Sequence, residues 1–170
     1  VIVTGSGNQG ITASVPVIRY AKHIGASDER LYRALLVSDL VTIHQKTGIG
    51  RLSAYCGAVS AGCGAGAGIA YLLGGDYRAI AHTIVNAVAI LSGTICDGAK
   101  PSCAAKIASA VEAGILGYYM YVNDQQFRGG DGIVAKGVEN TIRNVGLLAS
   151  QGMKQTDRVI LNIMTGDQCL

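Results

Sequence analysis

The sequence predicts an all-α fold, a multi-helix bundle built around a buried, glycine-rich central helix. Three observations carry this expectation. Apolar residues recur at helical spacing through most of the 170 residues. No segment alternates with period 2 for more than a few residues. Residues 52–75 contain no charged side chain, and seven of these 24 residues are Gly, at 57, 62, 64, 66, 68, 74 and 75. Charged residues make up 15% of the chain, against about 25% in an ordinary soluble domain. That balance excludes disorder and implies a large buried fraction. A chain of this length suits one domain, residues 1–170, burying roughly 70% of its unfolded surface.

The elements follow in order. Residues 9–24 carry Ile11, Val15, Ile18 and Ala21 at helical spacing and close at Gly25. Ser27 is the N-cap of the next helix, with Asp28 and Glu29 suited to the dipole of its first turn. That helix runs to about Lys46, with Leu31, Ala34, Leu35, Ser38 and Val41 on one face, and stops at Thr47-Gly48-Ile49-Gly50. The uncharged stretch 52–75 is the central helix. Its small residues let neighbouring backbones approach, which must offset a helix-propensity cost of about 1 kcal/mol per Gly. Asp76 caps a further helix from Ala79 to about Gly93. A break at Cys96-Asp97-Gly98-Ala99-Lys100-Pro101 precedes a helix from Ser102 to about Tyr119, with Pro101 suited to its first position. Residues 123–132 read as a loop, and 133–149 and 154–165 as two last helices. Val1–Thr4 is the one candidate strand.

Several function classes are disfavoured. The 14 Lys and Arg form no run, so a nucleic-acid footprint lacks support. Trp is absent and Phe127 is the only Phe, which argues against aromatic stacking platforms. The uncharged stretch is long enough to span a membrane, but its Ser, Cys and Gly content suits a central bundle helix better. Five Cys without a secretory signal point to a reducing compartment, the cytoplasm, rather than a disulfide framework. The chain opens on Val1 and enters an apolar run at once, which reads as part of a longer protein.

Gly5-Ser6-Gly7-Asn8-Gln9-Gly10 is a G-x-G-x-x-G string following Val1-Ile2-Val3. In a dinucleotide fold it would hold pyrophosphate, but that fold needs further parallel strands, and none follows residue 30. The loop's physics holds without that fold. A Gly-rich turn leading into a helix offers free N–H groups and the positive end of the dipole, suited to a carboxylate or a phosphate. Ser6, Gly7, Asn8 and Gln9 are therefore candidate substrate-binding residues. An ordinary helix start is the alternative.

Cys56 and Cys63 stand seven apart, as do Cys96 and Cys103. By spacing alone this fits no zinc-ribbon or ferredoxin pattern, and buried packing is the simpler reading. The surrounding strings add to it. Gly5 to Ile11 (GSGNQGI), Cys56 to Gly68 (CGAVSAGCGAGAG), Ile95 to Lys100 (ICDGAK) and Cys103 closely resemble the L-cysteine desulfidase family. That family is related to the alpha part of the iron–sulfur L-serine dehydratases. The resemblance covers nearly the whole chain and places it in the C-terminal portion of the family's longer proteins.

The resemblance implies a lyase that converts L-cysteine to pyruvate, ammonia and sulfide, or L-serine to pyruvate and ammonia. It implies a [4Fe–4S] cluster held by Cys56, Cys96 and Cys103 as metal ligands, with Cys63 extra and one iron left open as a Lewis acid. No pyridoxal phosphate is called for. Expected partners are a small amino-acid substrate and the upstream part of its own chain, with neither nucleic acid nor membrane; a homo-oligomer is compatible with this. The general base is not assigned. His44, His82 and Lys100 qualify by chemistry, and a structural role is the simpler reading of each His. Cys169, next to the C-terminus, matches by position a cysteine that caps the open iron in the dehydratases; a frayed tail is the simpler reading.

Overall fold

In a computed structural model the chain is described over residues 2–51 and 53–166. Seven α-helices run in order: α1 (Gly7–His23), α2 (Asp28–Ile49), α3 (Gly57–Leu72), α4 (Tyr77–Leu91), α5 (Cys103–Val122), α6 (Val138–Leu147) and α7 (Lys154–Thr165). Among the described residues the only β pairings are two isolated bridges, Val3 with Ser6 and Tyr55 with Ile95. The parallel sheet of a dinucleotide fold is thus absent there. No helix among the described residues is long and apolar enough to cross a membrane.

Helix α3 is the centre of the bundle and packs against α1, α2, α4 and α5. Every residue of it except Tyr71 is buried, so a charged side chain here would have lost its water without a partner. Its glycines are needed by close approach. A Cβ on Gly66 would stand 2.5 Å from Gly114 Cα of α5, and one on Gly64 would stand 2.5 Å from the Ser38 carbonyl oxygen of α2. The backbones of α2, α3 and α5 therefore meet where larger residues would hold them apart.

Several boundaries follow the sequence. Ser27 Oγ accepts from the Arg30 N–H at 3.3 Å and Asp76 Oδ1 from the Ala79 N–H at 2.9 Å, so both act as N-caps. Helix α2 runs through Ile49 and ends at Gly50, the last residue of the expected stop, whose φ of 91° lies in the left-handed region. Pro101 precedes α5 rather than opening it, since Ser102 holds the N-cap position.

Three expectations are corrected. Of the stripe Ile11, Val15, Ile18 and Ala21 in α1, Ala21 is buried, but Ile11, Val15 and Ile18 face outward, at 51%, 44% and 39% exposure. The buried face, packed against α3 and α2, is instead made mostly of small residues: Gly10, Thr12, Ala13, Ser14, Val17 and Ala21, with Gln9 at its start. A glycine-rich neighbour accommodates a close helix, and bulky residues cannot enter that gap. Second, residues 133–137 are not helical, because α6 starts only after Gly137 at φ 89°. The preceding segment is fixed differently. Thr141 Oγ1 accepts from the Ala135 N–H at 3.1 Å, and Val134 is buried. Third, the expected strand at Val1–Thr4 is a tight turn over its described part. Val3 and Ser6 exchange backbone bonds of 3.4 and 3.1 Å across Thr4 and Gly5. Val1 lies outside the described residues, as does Cys169.

Candidate functional site

The turn before α1 sets one wall of the site. Thr4 (φ 51°) and Gly5 (φ 85°) both take left-handed backbone angles, the pattern of a two-residue type I′ turn. A β-branched residue at such an angle is strained, and strain of this kind is concentrated at functional loops. Ser6 is the N-cap of α1, its hydroxyl accepting from the Gln9 N–H at 3.4 Å. Gln9 is buried, its Oε1 accepting from Thr4 Oγ1 at 2.6 Å. Its amide lies over Gly57, where any Cβ would collide with it. The loop is thereby locked against the start of α3.

Cys56 and Cys96 are brought together by the Tyr55–Ile95 bridge. The Cys56 N–H donates to the Thr94 carbonyl at 3.1 Å, and the Cys96 N–H to the Ala54 carbonyl at 2.6 Å. Cys56 thereby becomes the N-cap of α3. Cys103 opens α5; its sulfur accepts from the Lys100 N–H at 3.4 Å and lies 3.5 Å from the Gly98 carbonyl. All four described cysteines are free thiols.

These pieces line a single cavity of about 130 Å³. Its walls carry Ser6, Asn8 and Gln9 from the loop, all three expected cysteines, and Lys106. Sequence reasoning assembled most of this set. Gly7, the first residue of α1, is the exception: it does not line the cavity. The N-termini of α1, α3 and α5 all open on this space. Three positive dipole ends and one ammonium make it a site for negative charge, whether thiolate, carboxylate or anionic cluster.

Cys56 and Cys96 shift one another. Cys96 is held well below the usual thiol range, chiefly because Cys56 donates its S–H to it, with help from the Gly98 N–H and the Lys106 charge. Cys56 is pushed up by the same bond and by burial. Cys63, by contrast, is buried in the core with its sulfur 3.6 Å from the Ile84 carbonyl, and burial pushes its pKa up to about 12. It is an inert packing thiol and does not line the cavity.

Two lysines here were not singled out by the sequence. Lys106 Nζ donates to Asp97 Oδ1 at 2.7 Å and to the Ile95 carbonyl at 3.0 Å. Asp97 in turn raises its pKa and keeps it charged. Its distance of three residues from Cys103 on α5 was the available signal, since that spacing puts both on one face. Lys46 of α2 is buried and close enough to Cys96 and Cys56 to feel their charge; burial lowers its pKa and those thiols oppose the shift. No local pattern marks it, because only tertiary packing brings α2 there.

The three residues considered as bases fall elsewhere. His44 Nε2 is exposed and pairs with Glu139 Oε2 at 2.7 Å. His82 stacks on Tyr121, ring centroids 5.0 Å apart. The side chain of Lys100 does not line the cavity.

The donor set fits an iron–sulfur cluster in its chemistry, with three soft thiols around one electropositive cavity. Among the described residues no three Cys, His, Asp or Glu side chains are arranged to hold a single metal ion. In the arrangement described, Cys103 is engaged with its own loop and Cys56 with Cys96.

A sequence model described as serine dehydratase alpha chain matches residues 1–162. The chain is 69% identical to a UPF0597 protein of Desulfitobacterium hafniense, over 99% of this chain and 39% of that protein. It is 52% identical to a UPF0597 protein of Treponema denticola, over 96% of the chain and 38% of the relative. A UPF0597 protein of Lachnoclostridium phytofermentans is 54% identical over 96% of the chain and 39% of its own length. The chain thus spans about two fifths of the length of these curated relatives. No solved structure matches it. The family match takes in the glycine loop, Cys56, Cys63, Cys96 and Cys103 and all but the last residues of α7, and the chain belongs to the serine dehydratase alpha chain family.

Proposed function

We propose that the chain forms the cluster-binding part of a β-eliminating lyase that takes sulfide from L-cysteine, leaving pyruvate and ammonia. The observation that supports this reading most is the single cavity shared by Cys56, Cys96, Cys103 and the Ser6–Gln9 loop. Cys56, Cys96 and Cys103 would hold a [4Fe–4S] cluster, which when bound supplies an open iron as Lewis acid for the leaving group. The chain's own residues do the rest. The N-terminus of α1, with Ser6 and Asn8, binds the substrate carboxylate through backbone and side-chain donors. Lys106, kept charged by Asp97, adds positive charge beside Cys56 and Cys96 and favours their ionised form. Gln9, locked between Thr4 and Gly57, keeps the loop at a fixed distance from Cys56. The further length of the relatives would supply the part of the molecule that closes the site over substrate.

L-Serine dehydration is the second reading, favoured by the family's description. The two differ only in the leaving atom, sulfur or oxygen. The test is anaerobic reconstitution with iron and sulfide, in this chain and in the full-length Desulfitobacterium hafniense relative. Bound iron and charge-transfer absorbance are measured first, then sulfide and pyruvate from L-cysteine and L-serine. Cluster lost in Cys56→Ala, Cys96→Ala and Cys103→Ala but kept in Cys63→Ala is the expected result, with L-cysteine the faster substrate. Pyruvate from L-serine alone would move the assignment to the dehydratase. No iron uptake, with the three cysteines replaceable, would sink the lyase reading.

A further inference from the structure

A second and larger cavity, of about 400 Å³, lies between the N-terminal half of α4 and the segment 126–138. It shares no residue with the cysteine cavity. The two are separated along α4: Ala81 lines one, and the other begins beyond Leu91, roughly 15 Å away at 1.5 Å per residue. A volume of 400 Å³ falls within the range of small-molecule sites, about 300–1,000 Å³.

Its floor and its rim differ in character. Ala81, Val85, Phe127, Val134 and Val138 make the lining largely apolar, and His82 contributes a ring already stacked on Tyr121. Arg78, Arg128 and Lys136 stand around it, all exposed. None of the three has an ion-pair partner among the described residues. The neighbouring acids are engaged elsewhere: Asp76 caps α4, Asp131 accepts from the Arg128 backbone N–H at 2.6 Å, and Glu139 pairs with His44. Helix α6 also begins at this cavity, at Gly137, without a side-chain cap. Two of the lining residues carry buried polar atoms without partners, His82 Nδ1 and Gln126 Oε1.

We infer that this cavity is a binding site for an amphipathic organic anion, a flat apolar body bearing one carboxylate or phosphate. The body fills the space over Val85, Phe127 and Val134 beside the His82 ring. The anionic group lies at the rim, where Arg78, Arg128, Lys136 and the free N–H groups of α6 converge. This inference is independent of the lyase reading, since neither cluster nor substrate loop takes part.

The experiment is a titration of the isotope-labelled chain followed by methyl NMR at Ala81, Val85, Val134 and Val138. The probes are indole-3-acetate for a carboxylate and adenosine monophosphate for a phosphate. Indole alone and inorganic phosphate alone serve as body-only and charge-only controls. One amphipathic probe is expected to shift these methyls saturably, and the better of the two names the anionic group. Arg78→Ala with Arg128→Ala should weaken it at least about tenfold, and Ala81→Phe should abolish it by filling the cavity. Cys96→Ser should leave it unchanged, which keeps the outcome separate from that of the cluster. The inference is overturned if neither probe saturates these signals by about 10 mM, or if losing both arginines leaves the affinity unchanged.

Discussion

Replacing Gly66 by Ala sets two physical effects of opposite sign against each other. Helix propensity alone stabilises the substitution by about 1 kcal/mol. Packing opposes it, because the new Cβ stands 2.5 Å from Gly114 Cα and 2.7 Å from Gly114 C. Both neighbours are backbone, so no side chain can turn away. Reaching ordinary contact requires α3 and α5 to part by roughly 1 Å, which forfeits dispersion along their shared face. Overpacking of this kind costs about 3 kcal/mol, leaving a net loss of about 2 kcal/mol. In a chain of this size that lowers Tm by about 4–8 °C. Thermal unfolding followed by far-UV circular dichroism measures it. Gly48→Ala is the matched control: its Cβ would meet Gly146 Cα at 3.4 Å, an ordinary contact, so Tm should hold or rise slightly. A rise in Tm for Gly66→Ala would refute the claim that the glycines of α3 are present for close approach.

Three further outcomes are expected. Asn86 is fully buried; its amide donates to the Gly117 carbonyl at 2.9 Å and its oxygen accepts from the Phe127 N–H at 3.0 Å. Asn86→Ala should cost about 3 kcal/mol in urea unfolding by stranding both partners, and a loss below half of that would mean water replaces them. Tyr55 is buried with a hydroxyl that has no partner among the described residues, so Tyr55→Phe should hold or raise stability by up to about 1 kcal/mol; a clear drop in Tm would reveal a bond to that hydroxyl. Asp39 has its pKa raised by burial above the ordinary 3.8. A raised carboxyl favours folding at acid pH and loses that contribution as pH rises through its folded pKa. Asp39→Asn should therefore stabilise at pH 7, by less than about 1 kcal/mol after solvent screening, with the gain absent below pH 3.8; a pH-independent difference would contradict this.

Much of the architecture was written in local chemistry. The helix starts at Ser27 and Asp76, the stop at Gly25 and the charge-free centre at α3 follow from capping, positive φ and the cost of burying charge, all of which act over a few residues. The loop at Ser6–Gln9 was legible for the same reason, as a Gly-rich helix entry; the cysteines read by spacing as packing, and only the resemblance to the desulfidase family singled out Cys56, Cys96 and Cys103. What the sequence could not fix was direction. Ile11, Val15 and Ile18 have the spacing of a core face, yet the core chose the small side of α1, because α3 presents glycine and admits only a close neighbour. Gly137 alone delayed the start of α6. The meeting of α1, α3 and α5 N-termini on one cavity, the arrival of Lys106 and Lys46 near Cys56 and Cys96, and the placing of Arg78, Arg128 and Lys136, without ion-pair partners among the described residues, around a second cavity exist only after packing. Residues up to 100 positions apart, as Ser6 and Lys106 are, must close their loops before they feel one another, and no local preference encodes that encounter. The sequence by itself determined most of the helical segments and nominated residue types for the chemistry; the tertiary structure decided where α6 begins and which residues share a wall.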